Sequence, residues 1–197
     1  MITPARTLGL IVALLVSMTT ACPADADAAA SRVSRPRTIT YVVATKGAVT
    51  TDIDAFAAQV AETLADPRGW SRAGITFKRV DRRGQFTVWL AAASSVPTFG
   101  KPCTAAYSCR AGRNVAINED RWRLTTPAWA SVGGTRREYR NLVVNHEVGH
   151  WLGLGHRTCR GRGTVASVMQ QQSKDLGGCR ANAWPLDTEV ADARIPT

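Results

Sequence analysis

Eleven consecutive residues constrain this chain more than any other stretch: positions 146–156 read His-Glu-Val-Gly-His-Trp-Leu-Gly-Leu-Gly-His. Residues four apart share one face of an α-helix, so His146 and His150 can grip a single ion if the segment is helical. Glu147 then lies beside the ion without binding it, where a carboxylate can hold a water and take its proton. A straight helix cannot bring a residue ten positions further on back to the same point. The chain must turn, and Gly153 permits the left-handed backbone that such a turn needs. His156 can then complete a three-histidine set with a fourth position open, which is the arrangement of catalytic rather than structural zinc. The sequence holds three histidines, and all three stand at these positions. Separate packing explanations for each would not produce that spacing.

The surrounding pattern supports the helix. Over residues 135–152, Tyr139, Leu142, Val143, His146, Gly149 and His150 recur three and four apart, the periodicity of one helical face. Gly133-Gly134 breaks the chain before it. Upstream, residues 38–44 are rich in β-branched side chains and read as a strand. Residues 51–65 place Ile53, Phe56, Ala57, Val60 and Leu64 on one helical face, with Thr50, Thr51 or Asp52 as the cap and Asp66-Pro67 as the stop. Residues 75–80 and 86–91 read as strands, and the Asp-Arg-Arg-Gly run at 81–84 reads as a hairpin turn joining them. Residues 92–113 read as a long loop needing a staple, 115–118 as a short strand, and 186–193 as a short closing helix. Trp122 and Trp129 fall in an unpatterned stretch and are expected to serve packing.

The first thirty residues differ in kind. Arg6, an apolar run at 8–16 and an Ala-rich segment at 24–30 describe a secretory signal peptide cleaved near residues 28–30. The apolar run is too short to favour a spanning helix. Residues 31–36 read as a linker, and 37–197 as one catalytic domain. Cys22 sits in Thr-Thr-Ala-Cys, which is similar to a lipoprotein cleavage site, though Thr19 stands where leucine is usual; lipidation there would anchor the protein to the outer face of the membrane. The other cysteines are Cys103, Cys109, Cys159 and Cys179. Three pairings are open to them; Cys103–Cys109 and Cys159–Cys179 are favoured because each closes a short loop. No Cys-x-x-Cys spacing supports metal binding by these thiols.

The residues at 146–156 resemble the metzincin clan of zinc metallopeptidases, whose signature is His-Glu-x-x-His-x-x-Gly-x-x-His followed by a Met-turn. Met169, in Ser167-Val168-Met169-Gln170, is similar to the Met-turn methionine that packs beneath the metal. More narrowly, the chain is similar to secreted actinobacterial metzincin-like proteins. The resemblance implies an α+β fold: a mixed, twisted sheet with two main helices above a zinc cleft, and a loop-rich C-terminal part. It also implies an edge strand that pairs with the substrate backbone, for which the segment before Trp122 is a candidate. Arg157 follows the third histidine, where a cation opposes metal binding unless it is paired. Three glutamines follow Met169, so no tyrosine is assigned a role there. The bridge Cys159–Cys179 would enclose Met169 and contribute about 3 kcal/mol in the chain-entropy model.

The expected activity is hydrolysis of peptide bonds by a Zn²⁺-bound water that Glu147 activates, with His146, His150 and His156 as ligands and a peptide or protein as substrate. Two alternatives remain on sequence grounds: a zinc amidase acting on cell-wall peptides, and a non-proteolytic module binding cell-wall polymer. The net charge is +10, and losing residues 1–30 removes one Arg and two Asp to leave +11. Such a charge attracts anionic surfaces, in an exported protein a cell-wall polymer more naturally than nucleic acid. No spanning segment is expected after leader removal, and a monomer is expected. Intact-mass measurement of the exported protein should place its N-terminus within or just after residues 28–30; a mass that keeps Cys22 with a lipid adduct would establish the anchor instead.

Overall fold

Among the described residues the chain forms five strands and five α-helices. The computed structural model describes Met1 and residues 37–196; the expected signal peptide, the linker at 31–36 and Cys22 lie outside the described residues. Residues 37–196 belong to one compact unit. The β-branched run extends into β1 (Arg37–Lys46). It is followed by α1 (Ile53–Ala65), β2 (Ile75–Arg79) and β3 (Phe86–Ala91). The second half holds β4 (Cys109–Ala111), β5 (Asn114–Asn118), the short helices α2 (Glu119–Leu124) and α3 (Pro127–Ala130), the long helix α4 (Arg136–Trp151), and α5 (Asp187–Asp192). The fold is α+β, with one mixed sheet in the order β2-β1-β3-β5-β4. Four strands run parallel, and β4 is antiparallel to β5.

The hairpin expected at 81–84 does not exist. β2 and β3 both pair with β1, on opposite sides and parallel to it. Tyr41 is the hinge of this arrangement: it is the last β1 residue aligned with β2, opposite Arg79, and the first aligned with β3, opposite Phe86. The chain therefore leaves β2, steps across β1 at Tyr41 and continues as β3. Gly84 makes the step possible. A Cβ there would lie 2.9 Å from the Tyr41 backbone, closer than a carbon can sit. Gln85 N donates to Thr40 O at 2.8 Å and Val80 N to Tyr41 O at 2.9 Å, fastening both ends of the crossing.

Period-two burial gives the sheet two covered faces. Phe86, Val88, Leu90, Val115 and Ile117 join the main core with Phe56, Val60 and Leu64 of α1 and Leu142, Val143 and Val148 of α4. Ala91 and Ala116 face the other way, onto a small cluster with Val96 and Cys109. Asp52, one of the three capping candidates, caps α1 by accepting from Asp54 N and Ala55 N. Trp122 and Trp129 are both buried, on α2 and α3. The 92–113 loop contains a 3₁₀ segment, Ala93–Phe99, and the three-residue strand β4. Both expected disulfides are present, Cys103–Cys109 and Cys159–Cys179, which suits an oxidising compartment. Among the described residues no helix is long and apolar enough to cross a membrane.

Replacing Gly84 by Ala should cost roughly 2–3 kcal/mol, the range for forcing a carbon into filled space. Urea denaturation would check this, as a lowered midpoint.

Candidate metal centre

The helix that carries the first two histidines is fixed at both ends by local chemistry. Thr135 and Glu138 form a reciprocal capping box at the start of α4. At the other end, Leu154 N donates to Gly149 O and Gly153 N to His150 O, the paired bonds of a Schellman cap. Gly153 takes the required left-handed backbone, with φ of +86°. The turn then delivers His156 to the helix face. The three imidazole centroids lie 4.6–5.3 Å apart, and one ligand atom from each lies within 4.8 Å of the others.

Hydrogen bonds set which nitrogens face inward. His146 Nδ1 bonds the Val168 carbonyl at 2.7 Å, and His150 Nδ1 bonds the Leu154 carbonyl at 2.8 Å. A carbonyl only accepts, so both Nδ1 atoms carry protons and both Nε2 atoms present lone pairs. His150 Nε2 and His156 Nε2 stand 3.1 Å apart. A tetrahedral ion with nitrogen bonds of about 2.0–2.1 Å would hold two ligands roughly 3.3 Å apart. Burial, reinforced by the neighbouring His150, pushes His146 down to about 3. Burial also lowers His150 and His156. All three imidazoles are thus kept neutral near pH 7, the form that ligates a metal.

Glu147 is buried beside them, and its Oε2 is shut from solvent with no hydrogen-bond partner. Desolvation pushes its carboxyl up to about 8. The histidines and Glu147 open onto a cleft of about 520 Å³. One wall is β4, through Cys109 and Arg110, with Ser108 just before it; another is the segment after Met169, from Gln170 to Lys174. The segment before Trp122 is not the sheet edge. It is β5, hydrogen-bonded on both sides, and the edge at this end is β4.

The floor of the site is built from the C-terminal loops. Met169 is fully buried, and its Sδ lies where a side chain at position 149 would be, 2.4 Å from an added Cβ. Gly149 is therefore a notch in α4 for the methionine. The indole of Trp70 packs into the same notch, and its Nε1 donates to Asn145 O at 3.1 Å. The buried carboxylate of Glu189 holds the methionine's backbone. It accepts from Val168 N at 3.1 Å, Met169 N at 2.9 Å, Leu186 N at 2.8 Å and the Ser167 hydroxyl. Arg157 N donates to Met169 O at 3.0 Å, stitching the third-histidine segment to the floor. The Arg157 guanidinium pairs with Asp192 and Thr188, so its charge is compensated.

Sequence reasoning brought His146, Glu147, His150, Gly153, His156 and Met169 to one place, and the structure gathers them there. It did not single out Glu189, Arg110, Tyr107 or Lys174. Glu189 carries one sequence signal, its position three residues into a short helix, which suits a box-type cap; the other three carry none. Among known families, that described as "Protein of unknown function (DUF3152)" matches residues 24–193. No curated protein matches the chain.

Glu189→Gln places an amide N–H₂ among backbone donors and loosens the carbonyl that orients His146. If the three histidines hold Zn²⁺, its affinity, read by chelator competition, should fall about tenfold, the lower range for groups that orient a ligand from behind.

Proposed function

We propose that this chain, which belongs to the DUF3152 family, is an exported zinc-dependent endopeptidase of metzincin type. The observation that carries the reading is the convergence of three neutral imidazoles on one point, with the unpartnered Oε2 of Glu147 beside it. A buried carboxylate without donors is a costly feature to retain. It fits a group that must accept and release a proton.

His146, His150 and His156 would hold the ion, their Nδ1 or backbone tethers keeping the donor set in place. Zn²⁺, when bound, would supply Lewis acidity, polarising the scissile carbonyl and acidifying the attacking water. Glu147 takes the proton from that water and delivers it to the leaving amine. Burial alone raises this carboxyl to about 8, largely protonated at pH 7; a dication held by the neighbouring histidines would favour the ionised form that a base needs. β4 has one paired side, to β5. Its other edge lies along the cleft and offers N–H and C=O groups to an extended substrate. Met169, packed in the Gly149 notch, supports the Met-turn comparison. The two disulfides agree with export, and a peptide or protein substrate handled by a monomer requires no further component.

The test compares wild type, Glu147→Ala and His146→Ala for zinc per chain and for cleavage of a broad peptide library. Wild type and Glu147→Ala should each hold one zinc, and the Glu147→Ala rate should drop by at least about 10²-fold, the usual worth of a positioned general base. His146→Ala should lose zinc. Cleavage that survives in Glu147→Ala would refute the base role. Zinc-free wild type would refute the site, and hydrolysis confined to cell-wall peptides would redirect the reading to an amidase.

A further inference from the structure

The cleft has an uneven charge. Among its lining residues the fixed cations are Arg110 and Lys174, and the single carboxylate is Glu147. Neither cation has an ion-pair partner among the described residues: the four pairs present are Arg68–Asp66, Arg72–Asp187, Arg137–Glu62 and Arg157–Asp192. Arg110 projects from the edge strand β4. Its Nε is shut from solvent and makes no hydrogen bond. A partly buried guanidinium with an unused donor is unfavourable by itself and is a ready partner for a carboxylate, which it can bind through two parallel bonds. Lys174 lies on the segment after Met169, with its ammonium 5.5 Å from the Tyr107 ring centroid. Glu147 forms no ion pair with either cation.

We propose that this cleft selects peptides bearing a carboxylate next to the cleaved bond, with Arg110 and Lys174 as the residues that bind it. The inference rests on the peptidase reading and names its substrate class. The carboxylate belongs either to an Asp or Glu side chain or to a free C-terminus. Either source presents the same planar anion to Arg110, within reach of a second cation. Partial desolvation in the cleft strengthens that pairing relative to the open surface. An uncharged amide of the same shape would leave both cations unmatched, which is the basis of discrimination.

The experiment uses the full mature protein loaded with Zn²⁺, as wild type, Arg110→Gln, Lys174→Gln and the double variant. Quenched octapeptides differ by one Glu, Gln or Lys flanking the cleaved bond, each with a free or an amidated C-terminus. Wild type should favour the carboxylate-bearing peptide, Glu over Gln or free over amidated terminus, by about tenfold in kcat/KM. The ratio should shrink in each single variant and approach one in the double variant. A rate that falls on C-terminal amidation whichever residue flanks the bond would identify the terminal carboxylate as the source; a Glu-over-Gln advantage that survives amidation would identify the side chain. A second arm measures binding of fluorescein-labelled Glu and Gln hexapeptides to Glu147→Ala, with and without the two cation substitutions. Tighter binding of the Glu peptide that vanishes with both cations removed would uphold the inference even if wild type cleaved nothing, in which case the peptidase reading would fail alone. Cleavage with equal Glu and Gln rates, unchanged by C-terminal amidation, would sink the inference and leave the peptidase reading standing. So would a preference retained by the double variant. Equal binding of both hexapeptides, with displacement by inorganic polyphosphate, would likewise overturn it, in favour of a general anion surface. Lys174 is exposed, so its variant reads out selectivity even if Arg110→Gln disturbs β4.

Discussion

The hydrogen bond from His146 Nδ1 to the Val168 carbonyl joins the two halves of the site. On one side stands α4, whose position is set by the main core. On the other stands a stretch of loop with almost no regular structure of its own. Such a loop would not hold a histidine within tenths of an ångström unless something fixed its backbone. Glu189 does so, by collecting Val168 N, Met169 N, Leu186 N and the Ser167 hydroxyl on one buried carboxylate. Every partner is a donor, which is the condition for burying a carboxylate at tolerable cost. The Cys159–Cys179 bridge encloses the same loop across 20 residues, and Met169 fills the notch that Gly149 leaves in α4. Helix, floor and third-histidine segment are thus interlocked, and none of them can shift without the others.

The sheet performs a different task, which is to put an edge beside that interlocked unit. The crossing at Gly84 places β1 between β2 and β3, leaving β3 free to pair with β5. β5 in turn carries β4 at the rim of the cleft. Had β2 and β3 formed a hairpin, β1 could not lie between them. The disulfide Cys103–Cys109 ties the start of β4 to the preceding loop, so a strand of three residues keeps its place where hydrogen bonding alone would hold it weakly.

Features fixed by local chemistry were legible in the sequence. The spacing of His146, His150 and His156, the glycine at 153, the helical face of α4 and the two short cysteine loops each follow from residues close together in the chain. Features that depend on a distant partner were not legible. The Asp-Arg-Arg-Gly run has hairpin turn chemistry, but its glycine serves a close approach to Tyr41 more than forty residues earlier. β4 is too short for alternation to register as a strand. With β4 unseen, β5 looked like the edge. Glu189 reads as a surface acid in a short amphipathic helix until the fold closes and Val168 and Met169 bring their donors to it.

Comparing the buried acids separates structural from chemical use of the same side chain. Glu119 is buried and accepts from Thr50 N, Thr51 N and the Thr50 hydroxyl; desolvation alone would raise its pKa, but those donors bring it below the usual carboxylate value. Glu147 has the same overall exposure, 5%, but its carboxyl is far more deeply desolvated, and that burial moves its pKa the opposite way, up to about 8, with no donor to Oε2 to oppose it. The chain can satisfy a buried carboxylate, and does so twice, with Glu119 and Glu189. Of the six buried side-chain polar atoms without a partner among the described residues, those of Arg110, Glu147 and Gln170 belong to residues lining the cleft. Half of this unmet hydrogen-bonding capacity thus belongs to residues of the cleft onto which the three imidazoles open. That distribution is expected of a site whose partners arrive from solution, and packing by itself gives no reason for it.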